Sequence, residues 1–127
     1  MNRGITISLT ALLLAACSER PDPANLALPQ LSAAEITLVQ DRVRKTLLDP
    51  DSVRFGTMNS GRAADGKVPV CGWISANNIG DEPFYGVLTT VDGKPLFTFQ
   101  LFGNDPSSVS EADQMCRGAG VALPARG

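Results

Sequence analysis

The sequence predicts an α+β fold: an N-terminal helix, about four antiparallel strands and a C-terminal helix. Three observations carry that prediction. Ile36, Val39, Val43 and Leu47 recur at spacings of three and four. Several runs alternate apolar and polar residues between residues 53 and 102. Val109, Ala112 and Cys116 then return to helical spacing. A chain of 127 residues holds one small domain, here assigned to residues 31–123.

The first helix is announced by Ser32 and Glu35, a capping box in which each side chain satisfies a free backbone N–H of the first turn. Leu31 and Ile36 stand at the staple positions around it. Asp41 and Lys45 form an i,i+4 pair on the opposite side, and Pro50 predicts an end near Leu48 or Asp49.

Val53 and Phe55 share one face of a short first strand, and Asn59 to Gly66 reads as a loop. In the run Val68 to Ala76, Val68, Val70 and Ile74 oppose Cys71, Trp73 and Ser75. Pro69 places the start of that strand at an edge or at its entry from a loop. A third strand covers Phe84 to Val91. Asp92-Gly93 is a two-residue hairpin signal, and Pro95 to Phe102 is its partner, with Phe97, Phe99 and Leu101 on one face. Asp105-Pro106 opens the last helix, which runs to about Arg117 and stops at Gly118 or Gly120. Both helices are expected on one face of the sheet.

The N-terminus carries a different message. Arg3 is a positive n-region, Ile5 to Ala16 an apolar stretch of roughly 12 residues, and small residues precede Cys17. That stretch is too short for a bilayer span of about 20 residues. Leu14-Ala15-Ala16-Cys17 resembles the lipobox of bacterial lipoproteins. The resemblance implies removal of residues 1–16, a diacylglyceryl group on the Cys17 thiol and an acylated (palmitate-bearing) new amine. Two or three acyl chains hold a protein durably where one does not. Ser18, in place of the aspartate that retains such proteins in the inner membrane, points to the outer membrane, with the domain facing the periplasm. Ser18 to Gln30, interrupted by Pro21, Pro23 and Pro29, reads as a flexible tether.

With Cys17 lipidated, Cys71 and Cys116 remain, and in an oxidising compartment they make one disulfide. A metal site or a redox pair are the rivals, but neither cysteine lies in a CxxC and the chain has no histidine.

A second resemblance covers roughly residues 33–118. Asp49, Pro50, Ser52 and Phe55, then Cys71, Gly72 and Asn77, then Pro83-Phe84, and finally Cys116 form the pattern DPxSxxF…CG…PF…C. It is similar to a family of small secreted bacterial proteins of uncharacterised function. Those relatives carry a longer Gly-rich loop before Pro-Phe, whereas here only Ile79 to Glu82 separate Asn78 from Pro83. The resemblance implies no enzymatic activity and supplies no catalytic residues.

Composition excludes several chemistries. The net charge of −2 lacks the footprint of a nucleic-acid binder. Without histidine, Ser-His-Asp and Cys-His catalysis are excluded. None of Lys45, Lys67 and Lys94 stands three residues after a serine. No phosphate-cradling glycine loop is present, and no metal or cofactor is expected. Among the carboxylates, Asp49 and Asp51 flank Pro50 as a helix stop with an Asx-turn. Asp81-Glu82 reads as a solvated loop, and Glu111 and Asp113 as complements to a helix dipole. Trp73 is expected beside the disulfide and Phe84 in the core. Tyr85, facing away from Phe84, forms a candidate contact surface with Asn77 and Asn78.

The expected function is therefore a membrane-anchored, non-enzymatic periplasmic lipoprotein that binds or assists an envelope protein or a cell-wall component. The alternatives are an inhibitor of a cell-wall hydrolase, or a carboxylate-based hydrolase using Asp49, Asp51 or Glu82. The latter needs two carboxylates about 5–9.5 Å apart in a cleft.

Overall fold

The computed structural model describes residues 30–62 and 65–126; the expected leader, Cys17 and the expected tether up to residue 29 lie outside them. Helix α1 spans Ala33–Thr46, and a single 3₁₀ turn follows at Pro50–Ser52. Four strands come next: β1 Arg54–Ser60, β2 Val68–Ala76, β3 Gly80–Val91 and β4 Lys94–Leu101. Helix α2, Pro106–Gly118, closes the order. The strands form one antiparallel sheet in sequence order, so the α+β class and the element order are as the sequence predicts.

The placement of the helices is not. Adjacent strand residues point to opposite faces, and two apolar clusters divide accordingly. Val39 and Val43 of α1 pack with Val70, Ile74, Phe84, Leu88 and Phe97. Cys116 of α2 packs with Cys71, Val121 and the half-buried Tyr85. Cys71 and Val70 are neighbours on β2, as are Tyr85 and Phe84 on β3, so α1 and α2 cover opposite faces. The sheet is sandwiched, because both of its faces carry enough apolar side chains to need a cover.

Helix α1 starts on the capping box: Glu35 N–H donates to Ser32 Oγ at 3.2 Å, and Ser32 N–H to Glu35 Oε1 at 3.0 Å. It ends two residues before its expected stop, with Leu47 already extended. The partner of Asp41 is Arg44, at 4.0 Å, rather than Lys45.

The turn after α1 corrects the Asx-turn expectation. The Asp49 side chain caps nothing; its main-chain carbonyl instead accepts from Ser52 N–H at 3.2 Å and from Ser52 Oγ at 3.0 Å. Ser52 Oγ in turn accepts from Asn77 N–H at 3.2 Å. One hydroxyl thus ties the Asp49–Ser52 turn to the β2–β3 hairpin. Ser52→Ala removes both bonds at once and is expected to cost about 1.5 kcal/mol, read from the midpoint of urea unfolding.

Strand β1 runs through Asn59 and Ser60, residues expected in a loop. Its pairing shifts between Phe55, opposite Ile74, and Met58, opposite Gly72. Three residues of β1 there span two of β2, and this bulge keeps Phe55 and Met58 on the α1 face, where both pack. Strand β3 starts at Gly80, so Asp81 and Glu82 are strand residues paired with Ser75 and Ile74, not a loop. Burial pushes the Glu82 carboxyl above its ordinary pKa.

Two prolines sit inside interior strands for the same reason. Pro69 O accepts from Gly61 N–H at 2.9 Å, and Pro83 O accepts from Phe102 N–H at 3.0 Å. In an antiparallel ladder a residue's N and O face the same neighbour. Each proline nitrogen therefore points to a strand that has ended one residue earlier, at Ser60 and at Leu101. Neither ladder needs the missing donor.

The α1-side core closes on aromatic rings. Phe84 and Phe97 are fully buried and meet edge to face at 6.4 Å between centroids, with Phe99 stacked 5.8 Å from Phe97. Gly72 and Gly86 leave room for them. A Cβ at Gly72 would lie 2.8 Å from Phe84 Cε1, and one at Gly86 would fall within the Phe97 ring.

Candidate functional site

The α2 face of the sheet carries the most distinctive chemistry. Cys71 of β2 and Cys116 of α2 form the expected disulfide, with Cα atoms 6.3 Å apart, and both are fully buried. They meet because Cys116 lies on the same helical stripe as the buried Ala112, the stripe that faces the sheet. Asp105 positions α2: its side chain accepts from Ser108 N–H at 3.0 Å and Ser108 Oγ at 2.6 Å. These two bonds favour the carboxylate and hold Asp105 below its ordinary pKa. A lowered folded pKa contributes stability above the unfolded value, lost as pH falls through the folded one. Thermal melts are therefore expected to drop as pH falls below about 4, and Asp105→Asn to flatten that drop.

After Gly120, which takes a positive φ of 78°, the chain turns back over the sheet as an extended strap. Val121 is buried at its root, and Leu123 packs against the disulfide cluster. The strap is held by side chains that grip its backbone. Asn59 Nδ2 donates to Ala122 O at 2.8 Å, and Trp73 Nε1 donates to Pro124 O at 2.7 Å. The Arg126 guanidinium lies over the Trp73 ring, 4.6 Å from its centroid. The indole bond is worth about 1 kcal/mol, the exposed cation–π contact about 0.5–1 and half-burial of Leu123 about 1.

Beside the strap a cleft of about 620 Å³ opens between Trp73, the first turns of α2 and Arg126. Pro106, Val109 and Leu123 give it apolar walls, while Asn104, Ser110 and Asp113 give it polar ones. Asp113 is already paired with Arg117 at 3.0 Å. An indole N–H, an aromatic face and mixed walls are groups that hold an extended peptide backbone.

The structure separates the residues expected to form a contact surface. Asn77 and Asn78 are exposed in the β2–β3 turn. Tyr85 sits mid-strand opposite Cys71 and packs on the disulfide cluster, about 20 Å along the strand from Asn77. Its orientation away from Phe84 is as expected; its exposure beside the asparagines is not. Phe84 is fully buried, as read; Trp73 is 8 % exposed, but it lies outside the disulfide cluster and meets Pro124 and Arg126 instead. Cys17 lies outside the described residues. Among those described, no three His, Cys, Asp or Glu residues are grouped to hold a metal ion.

Sequence reading missed Asn59, Pro124 and Arg126, and it ended the domain at residue 123, one residue short of the Trp73 contact. The only local trace of the strap is the i,i+2 pair Val121 and Leu123 after Gly120. Neither a family model, nor a curated protein, nor a solved structure matches the chain.

Proposed function

We propose that the protein is a lipid-anchored periplasmic lipoprotein, attached through Cys17 at the outer membrane, whose domain binds an envelope partner without catalysing a reaction. The observation that carries this reading is Leu14-Ala15-Ala16-Cys17 behind a short apolar segment, followed by the proline-interrupted stretch up to Gln30. A disulfide-clamped domain beginning right after that stretch suits an oxidising compartment. Its distinctive face is built from backbone-gripping donors and an aromatic ring, which suits binding.

The test is metabolic labelling with a palmitate analogue in a bacterial host. Label is expected on the wild-type chain and in the outer-membrane fraction. Cys17→Ala is expected to abolish it while leaving the folded, oxidised domain intact. Unlabelled wild-type protein, or label that persists in Cys17→Ala, would remove the anchor from this account.

A further inference from the structure

The strap is bound in the manner of a ligand. Its carbonyls at Ala122 and Pro124 receive hydrogen bonds from side chains on β1 and β2, and its arginine rides on an indole face. None of these contacts depends on the strap belonging to the same chain. Proline holds φ near −65° and reduces the cost of staying extended, which is why proline-containing segments are read by tryptophan-lined grooves in other contexts. Leu123 and Arg126 of the strap line one side of the adjoining 620 Å³ cleft, whose size falls within the range of ligand sites.

We propose that Trp73, Asn59 and the wall of α2 form a recognition site for an extended, proline-containing peptide with a basic residue two positions after the proline, and that residues 122–126 occupy this site in cis as a built-in competitor. The partner is thus a protein segment of that chemistry. The inference gives a ligand class to the binding role proposed above, but it does not depend on the lipid anchor. While seated, the strap excludes an outside peptide and lowers its apparent affinity in proportion to the fraction of time it occupies the site. A partner segment with further contacts in the cleft displaces it.

Trp73 is the only tryptophan, so its emission reports on the site alone. The probe is the acetylated, amidated peptide Ala-Leu-Pro-Ala-Arg, titrated into the purified full chain and into a variant ending at Val121. Saturable change in emission is expected in both, with binding to the shortened variant severalfold tighter. Replacing the proline of the peptide by glycine, or its arginine by alanine, is expected to weaken binding to the shortened variant. Absence of saturable binding to a shortened variant that still unfolds cooperatively would overturn the proposal. A second variant, Pro124→Gly with Arg126→Ala in the full-length chain, guards against a folding defect and is also expected to bind the probe more tightly than wild type. Loss of cooperative unfolding in both variants would show the strap to be part of the core, and would equally overturn it. A negative titration leaves the palmitate experiment on Cys17 untouched, so the two readings fail separately.

Discussion

Replacing Cys71 and Cys116 together by alanine is expected to lower the unfolding free energy by about 4 kcal/mol. The bond joins residues 45 apart, and opening that loop returns chain entropy to the unfolded state. A domain of this size commands only about 5–15 kcal/mol in total, so the reduced form lies close to its stability limit. Urea unfolding with and without reductant measures the difference, and the alanine pair should no longer respond to reductant. The loss should fall most heavily on α2. Apart from the disulfide, its buried contacts with the sheet centre on Ala112, Cys116 and the Val121 that follows it. A loss of less than about 1 kcal/mol would mean that packing alone seats the helix.

Gly86→Ala carries the second large effect. Gly86 is buried in mid-β3, paired with Phe99 on β4, and Phe97 lies across it so closely that a methyl group and the ring occupy the same space. Phe97 is fully buried and bounded by Phe84 and Phe99, so any shift of the ring disturbs its neighbours. Overpacking of a filled core costs about 1–3 kcal/mol, and the upper end is expected here. The cause is separable by a double-mutant cycle. Phe97→Leu is itself destabilising, yet adding Gly86→Ala in that background should cost less than in wild type, because the smaller side chain vacates its share of the contested volume, while the Thr98 carbonyl 2.9 Å from the new Cβ keeps the rest of the penalty. Equal cost in both backgrounds would trace the effect to backbone strain instead.

Most of the fold is legible because it is written in short-range patterns. Ser32 and Glu35 fix the start of α1, Val68 to Ala76 gives β2 residue for residue, Asp92-Gly93 sets the β3–β4 turn, and Asp105-Pro106 starts α2. The misplacement of α2 is instructive, since the sequence contains the correction. Cys71 opposes Ile74 across the strand, so a disulfide to Cys116 places α2 on the Cys71 face, while the apolar stripe of α1 needs the face bearing Val70, Ile74 and Phe84. Local spacing also yields neighbours without deciding between them: Lys45 and Arg44 both lie within reach of Asp41, and geometry selects Arg44. The candidate site was hidden for a different reason. The indole of Trp73 meets a carbonyl 51 residues away, and that carbonyl belongs to the backbone, whose hydrogen bonding leaves no mark on residue identity. The Asp49–Ser52 turn and Asn77 were singled out separately, but the hydroxyl joining them spans 25 positions and becomes visible only once the strands are paired.

The covalent bond on one side of the sheet and its absence on the other make the molecule mechanically lopsided. Tension applied from residues preceding Leu31 reaches α1 first, and that helix is held to the sheet by apolar contact through Val39 and Val43 rather than by any crosslink. Under load α1 should peel away while β2, β3 and α2 stay joined by their sulfur bond. The crosslinked half would thus outlast the half that yields, as a shear pin protects the machine it is fitted to.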